Sequence, residues 1–144
     1  MQRSDLLLAI LASAGGRSFT PVQLQKSAFL VWKNAPTLID TGPTFNFTPY
    51  DYGPFDPSVY AVADGLAMTG TAIIAPSATG RWNTYAASDA GIRRGEQILA
   101  SLDPNIRDYI GRIVEWVRSQ SFHGLVKSIY DAYPDMKVNS IFRG

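Results

Sequence analysis

The side chains that carry out most enzyme chemistry are scarce in this sequence. It has one histidine, His123, and no cysteine, which excludes a cysteine nucleophile, a thiolate metal site and a disulfide framework. No acidic residue stands three or four positions after His123, so neither a zinc site nor a histidine base with an orienting acid has a recognised spacing. We therefore interpret His123 as an ordinary residue near the start of a helix.

Phosphate-binding patterns are absent, and the acidic residues of interest have simpler explanations. The sequence contains neither GxxxxGK[ST] nor GxGxxG, the two common glycine-rich phosphate loops. Asp51 and Asp56 are explained by a loop and by a helix cap, although carboxylates far apart in sequence can still meet in a fold. We predict a protein without enzymatic activity, cofactor or metal.

The segment from Tyr50 to Phe55 has the highest density of residues suited to binding. Its glycine and proline favour a tight turn, and its rings could pack beneath a long connection. Alternatively, the segment presents amphipathic rings to another protein, as tyrosines do at interface hot spots. The candidate partner-binding residues here are Tyr50, Asp51, Tyr52 and Phe55.

A second candidate contact lies at the turn of an expected β-hairpin. Trp82 and Tyr85 could both pack inward against the following helix, or Arg81 and Trp82 could form a contact tip. Trp32 and Trp116 differ from them because they fall on apolar helix stripes, and we expect both in the core.

The elements that must position these residues are mainly helices. The best-specified start has Thr20 as the N-cap, Pro21 at the first helical position and Gln23 completing a capping box. Helical patterns cover residues 4–13, 21–35, 56–69, 89–102, 104–120 and 123–133, with a hairpin from strands at 72–75 and 81–87 and a further short strand at 44–48. We predict a mainly α fold with one small β-hairpin, as a single domain over residues 1–144.

Three helices followed by a hairpin form the outline of a winged helix, with the third helix in the recognition position. That helix has two aspartates and no lysine or arginine, so its exposed face would repel phosphate. The chain as a whole has a formal charge of +1, which gives little support to DNA binding. A winged-helix-like core with further C-terminal helices, used for protein binding, fits better.

Length and composition agree with one folded domain. The 144 residues are 46% hydrophobic and 17% charged, as in ordinary globular proteins. The longest mostly apolar run, residues 6–14, is far shorter than the roughly 20 residues of a membrane-spanning helix. It imitates a short secretory signal, but Asp5 adjoins it, so we expect an amphipathic first helix in a cytoplasmic protein.

Several motifs in a fixed order resemble one known family. They are residues 24–26 with Phe29 and Leu30, residues 47–55, Tyr85 with residues 88–91, residues 129–134, and Asn139 with Ser140. Together they resemble the SocA-like antitoxin domain, also called Panacea, which includes the YwgA and GepA proteins of bacteria and prophages. The resemblance implies a helical domain that neutralises a toxin by direct contact, or presents it to a protease as an adaptor, without catalysis.

These observations predict a non-enzymatic protein-interaction domain. We expect a toxin or a host protein as the partner, and neither nucleic acid nor a membrane. The predicted partner-binding residues are Tyr50, Asp51, Tyr52, Phe55, Arg81 and Trp82. Two alternatives stay open: a winged-helix regulator that binds DNA and forms a homodimer through its C-terminal helices, and a phage or prophage protein that acts on a host system by direct binding.

Overall fold

The computed structural model describes residues 1–143 and is mainly helical, with two small antiparallel strand pairs. The helices are α1 (Arg3–Ala12), α2 (Pro21–Asn34), α3 (Ser58–Met68), α4 (Asp89–Ala100), α5 (Pro104–Ser119) and α6 (Phe122–Ala132), followed by a 3₁₀ turn at Pro134–Lys137. The strands are β1 (Thr48–Tyr50), β2 (Gly53–Phe55), β3 (Ala72–Pro76) and β4 (Asn83–Ala87). The predicted mainly α class with a small hairpin is confirmed.

The capping signals of the sequence set several helix starts. In α2 the Gln23 amide donates to Thr20 Oγ1 at 3.2 Å, and the Thr20 amide donates to Gln23 Oε1 at 2.9 Å. This is the predicted capping box, which satisfies donors that a helix end leaves unpaired. Ser88 caps α4 in the same way, because its Oγ accepts from the Gly91 amide at 3.0 Å.

The first helix differs from the prediction in its start and in its surroundings. Gln2 and Asp5 form the capping box of α1, which begins at Arg3, one residue before the predicted start at residue 4. All residues from Leu6 to Ala12 are buried, so α1 is surrounded by the other elements and is not amphipathic as expected. A helix that is apolar on every side belongs inside a domain.

Two glycines allow α4 to approach its neighbours closely. A Cβ at Gly95 would lie 2.2 Å from the Ala12 Cβ of α1. A Cβ at Gly91 would lie 1.9 Å from the Thr71 carbonyl oxygen. Both distances are shorter than any real carbon contact, so glycine is required at each position for this packing.

The wing of the fold is a hairpin that also pairs with the segment before α2. The register of β3 and β4 places Ile74 opposite Tyr85. The Phe19 amide donates to the Tyr85 carbonyl at 2.7 Å, and the Tyr85 amide donates to the Phe19 carbonyl at 3.0 Å. The order of helix, bridge, two helices and hairpin agrees with the predicted winged-helix-like core.

An additional two-stranded ribbon, β1–β2, is inserted between α2 and α3. Its register pairs Thr48 with Phe55 and Tyr50 with Gly53. The strand predicted at residues 44–48 is wrong, because Phe45 and Phe47 are buried without strand pairing and β1 begins only at Thr48. Alternation of apolar and polar residues there reflects burial of two rings, not a strand.

The apolar stripe of α5 is covered within the chain. Ile110, Val114 and Val117 are fully buried, and α5 packs against α2 and α1. Trp116 is 37% exposed, so its predicted place in the core is wrong. It follows Val114 by two residues, which turns its side chain about 200° around the helix and away from the buried face.

Trp32 is half-buried, and its Nε1 donates to Thr44 Oγ1 at 3.0 Å.

None of the helices within residues 1–143 is both long enough and apolar enough to cross a membrane.

Candidate functional site

The aromatic side chains of the β1–β2 ribbon lie at the surface. Tyr50 is 51% exposed, Tyr52 is also exposed and Phe55 is half-buried. The rings of Tyr50 and Phe55 stack with their centroids 4.8 Å apart and an interplanar angle of 26°. Stacking of one ring on the other holds this pair in place, and Phe55 also packs against Tyr60 of α3, with ring centroids 6.0 Å apart.

The hairpin β3–β4 divides its two aromatic candidates between core and surface. Tyr85 is buried and stacks on Tyr60 of α3, with ring centroids 5.8 Å apart. Trp82 is 44% exposed. Inward packing therefore occurs for Tyr85 alone, and its ring stacks on α3 and not on the following helix α4 as predicted.

Trp82 forms one wall of an apolar groove of about 420 Å³. The opposite part of the groove is lined by Phe122, the first residue of α6, and by the first turn of α2 with Pro21 and Val22. Arg81 is exposed but is absent from the lining of this groove. The structure thus separates the two hairpin candidates and adds Phe122, which the sequence analysis missed.

Phe122 connects the groove to the ribbon. Its ring meets the Tyr52 ring edge to face, with centroids 5.1 Å apart. Val22 lines both the groove and a second cavity beneath the ribbon. We define the aromatic surface as Tyr50, Tyr52, Phe55, Trp82 and Phe122, which lie around Val22. No sequence signal marked Phe122 as exposed, because it stands at helical spacing from the buried residues Leu125, Val126 and Ile129, and that periodicity predicts burial.

The second cavity has a volume of about 200 Å³ and lies between α2 and the ribbon. Its lining combines aromatic rings with a few polar groups, one of them a lysine. The lining residues are Val22, Gln25, Lys26, Tyr50, Asp51, Tyr52, Gly53, Phe55 and Tyr60.

Gln25 fixes the end of the ribbon through its side-chain amide. Its Nε2 donates to the Asp56 carbonyl at 2.9 Å, and its Oε1 accepts from the Asp56 amide at 3.1 Å. The Asp56 carboxylate accepts in turn from the amides of Asn46, at 2.6 Å, and Ser58, at 2.8 Å. Asp56 thus caps α3, as predicted for a helix-start acid, and also anchors the preceding loop.

Lys26 reaches the ribbon from the same turn of α2. Its Nζ donates to the Pro54 carbonyl at 3.1 Å, and the side chain is 3% exposed. Burial lowers the pKa of Lys26 from 10.5 to about 8, because the charged form loses hydration. Among residues 1–143 no carboxylate lies within 4.0 Å of this ammonium group.

The C-terminal segment holds the turn of the ribbon from the other side. Ser140 Oγ donates to the Asp51 carbonyl at 3.2 Å, and the Ile141 amide donates to the same oxygen at 2.9 Å. Asn139 Nδ2 donates to the Pro49 carbonyl at 3.3 Å. The motifs around residues 24–26, 49–55 and 139–140, which are distant in sequence, therefore meet at the ribbon.

The face of α3 that a winged helix would present to DNA carries no positive charge. Its exposed residues are Ala61, Asp64, Gly65 and Met68.

His123 is exposed at the start of α6, with its ring 5.2 Å from the Phe142 ring. Within the described residues no group of three or more histidine, aspartate or glutamate side chains is arranged to hold a metal ion.

Comparison with known proteins gives no match to a protein-family model and no match to a curated protein.

Proposed function

We propose that this protein is a non-enzymatic binding domain that captures a partner protein through the aromatic surface. The observation that carries the proposal is that four exposed aromatic side chains lie close together on one surface. Trp82 and Phe122 line the apolar groove, and Tyr52, whose ring contacts Phe122, lines the neighbouring cavity with Tyr50. Contiguous exposed aromatic groups are a common feature of protein interaction sites, where tyrosine and tryptophan contribute most of the binding energy.

The resemblance to SocA-like antitoxins supports a toxin as the partner, bound directly or presented to a protease, in the cytoplasm. A phage or prophage protein that binds a host protein would use the same surface. Both versions require protein contact and no catalytic group.

Binding of DNA is the less favoured alternative, although the helix and hairpin order is compatible with it. The exposed face of α3 offers Asp64 and no lysine or arginine, so an approaching phosphate backbone would be repelled. A homodimer through the C-terminal helices would have to use residues other than Ile110, Val114 and Val117, which are buried within the chain.

The test is affinity capture from the native cells with the wild-type chain and two tryptophan variants. Trp82→Ala removes a wall of the groove, and Trp116→Ala is the matched control at an exposed tryptophan that does not line the groove. We expect one stoichiometric protein to be retained at high salt, after nuclease treatment, by the wild type and by Trp116→Ala, and to be lost with Trp82→Ala. Recovery of salt-sensitive DNA instead would favour the regulator.

A further inference from the structure

Lys26 is a buried cation with few partners. Its ammonium group has three donors, and it makes one hydrogen bond, to the Pro54 carbonyl. The ion pairs within residues 1–143 join other groups, all of them with at least one side chain that is substantially exposed. A buried charge without a countercharge is unfavourable unless a ligand supplies one.

The lysine lines a cavity that a ligand can enter. The cavity of about 200 Å³ is bordered on its outer side by Tyr50 and Tyr52, which are exposed. Its volume is below the range of roughly 300–1,000 Å³ that is usual for sites holding whole small molecules. A single side chain of a bound protein is therefore a better fit than a free metabolite.

Gly53 keeps the space above the ammonium group open. Its φ angle is +105°, and a Cβ at this position would lie 3.2 Å from the Tyr130 ring and 3.8 Å from Lys26 Nζ. The Lys26 ammonium group makes one hydrogen bond among the described residues, to the Pro54 carbonyl, so a carboxylate in this space can accept from its remaining donors.

The cavity adjoins the apolar groove. Val22 lines both spaces, and the contact between Tyr52 and Phe122 forms the boundary between them. An extended segment that places an acidic side chain in the cavity can therefore place a neighbouring apolar side chain in the groove.

We propose that the cavity beneath the β1–β2 ribbon binds an acidic side chain of the partner protein, with Lys26 as its countercharge, while an adjoining large apolar side chain of the same segment enters the groove beside Trp82. The proposal rests on the proposed function, since it names the chemistry of the segment that the aromatic surface recognises. Asp51 at the rim is half-exposed, so solvent screens its repulsion of the entering carboxylate.

The first experiment selects binding peptides from a random library displayed on phage, using the full chain as bait. We expect the wild type and Lys33→Met, a matched control at an exposed lysine of α2, to enrich peptides with Asp or Glu beside a large apolar residue. Lys26→Met should enrich apolar peptides without the acid. Apolar enrichment with no acid preference in the wild type would overturn the Lys26 site and leave the aromatic surface standing. Failure of the wild type to enrich any peptide would overturn both.

The second experiment uses the best glutamate-containing peptide and its analogue with glutamine at that position. We expect the wild type to bind the glutamate peptide about 10-fold or more tightly than the analogue, and Lys26→Met to bind both equally, as for a desolvated charge pair. Equal binding by the wild type would refute the proposal.

A measurement on the wild type alone covers the case in which Lys26→Met fails to fold. The pKa of Lys26, followed by NMR of labelled lysine side chains, should rise when the glutamate peptide binds and stay near its free value with the glutamine analogue. An identical Lys26 pKa in the two complexes would contradict the proposal.

Discussion

The Nζ of Lys26 donates to the carbonyl oxygen of Pro54 at 3.1 Å, which places a buried positive charge directly under the β1–β2 ribbon. The preceding residue, Gln25, holds Asp56 by two hydrogen bonds. Two consecutive side chains of α2 thus fix the strand that carries Phe55, and the position of the aromatic surface depends on them.

Lys26 should make stability depend on pH in the alkaline range. Its pKa is about 8 in the folded chain and 10.5 in the unfolded chain, so the unfolded chain holds more protons between these values and the free energy of unfolding rises with pH there. Below pH 8 both states are protonated and the full cost of burying the charge, about 3 kcal/mol, is present.

The measurement is urea denaturation at several pH values from 7 to 10, on the wild type, Lys26→Met and Lys33→Met. We expect Lys26→Met to lack the rise with pH that Lys33→Met keeps. Comparison between variants removes the contribution of Tyr60, Tyr85 and Tyr109, whose pKa values are raised by burial and have the opposite effect at higher pH. Parallel pH profiles for the two variants would show that Lys26 is hydrated in the folded chain.

Gln25→Ala should destabilise the fold and displace the ribbon. Removal of the side-chain amide leaves the buried amide and carbonyl of Asp56 without their partner, at a cost of about 1–3 kcal/mol for each unsatisfied group. Gln97→Ala, at an exposed position of α4, should change the free energy of unfolding by less than about 0.5 kcal/mol. Urea denaturation measures both, and equal effects would mean that Gln25 does not support the ribbon.

Gly95→Ala should be destabilising although alanine favours helices. Its Cβ would collide with the Ala12 Cβ, and overpacking of this kind costs about 1–3 kcal/mol. Gly65→Ala in α3, where a Cβ meets nothing within 4 Å, should instead stabilise by roughly 0.5–1 kcal/mol. Thermal unfolding of the two variants should therefore shift in opposite directions, and a gain in both would contradict the close packing of α1 and α4.

Removal of the Tyr52 ring should weaken binding more than folding. Tyr52 is exposed and contacts Phe122 at the surface, so Tyr52→Ala should cost less than about 1 kcal/mol of stability. A hot-spot residue at an interface costs about 2 kcal/mol or more of binding energy when truncated. Denaturation and partner affinity measured on the same preparation separate the two effects, and unchanged affinity would exclude Tyr52 from the interface.

Local signals in the sequence were sufficient for much of the fold. Thr20 and Ser88 cap helices through residues three positions away, so their role is readable from the sequence alone. The burial of α1 on every side and the exposure of Trp116 were not readable in this way, because they depend on which elements surround each helix.

The candidate site was only partly predictable for the same reason. The aromatic residues of the ribbon were noticed because they are adjacent in sequence. Phe122 joins them through a contact across 70 residues with Tyr52, since 122 − 52 = 70. Lys26 belongs to a motif in the sequence, but its burial follows from its contact with Pro54 on the inserted ribbon.

The most direct test of the central claim compares partner capture by Trp82→Ala and by Trp116→Ala. Both variants remove one exposed tryptophan, but only Trp82 lines the groove. If the aromatic surface is the binding site, the partner protein is lost with Trp82→Ala and retained at wild-type stoichiometry with Trp116→Ala, while both variants stay folded. Retention by a folded Trp82→Ala variant, or equal loss from both, would contradict the account.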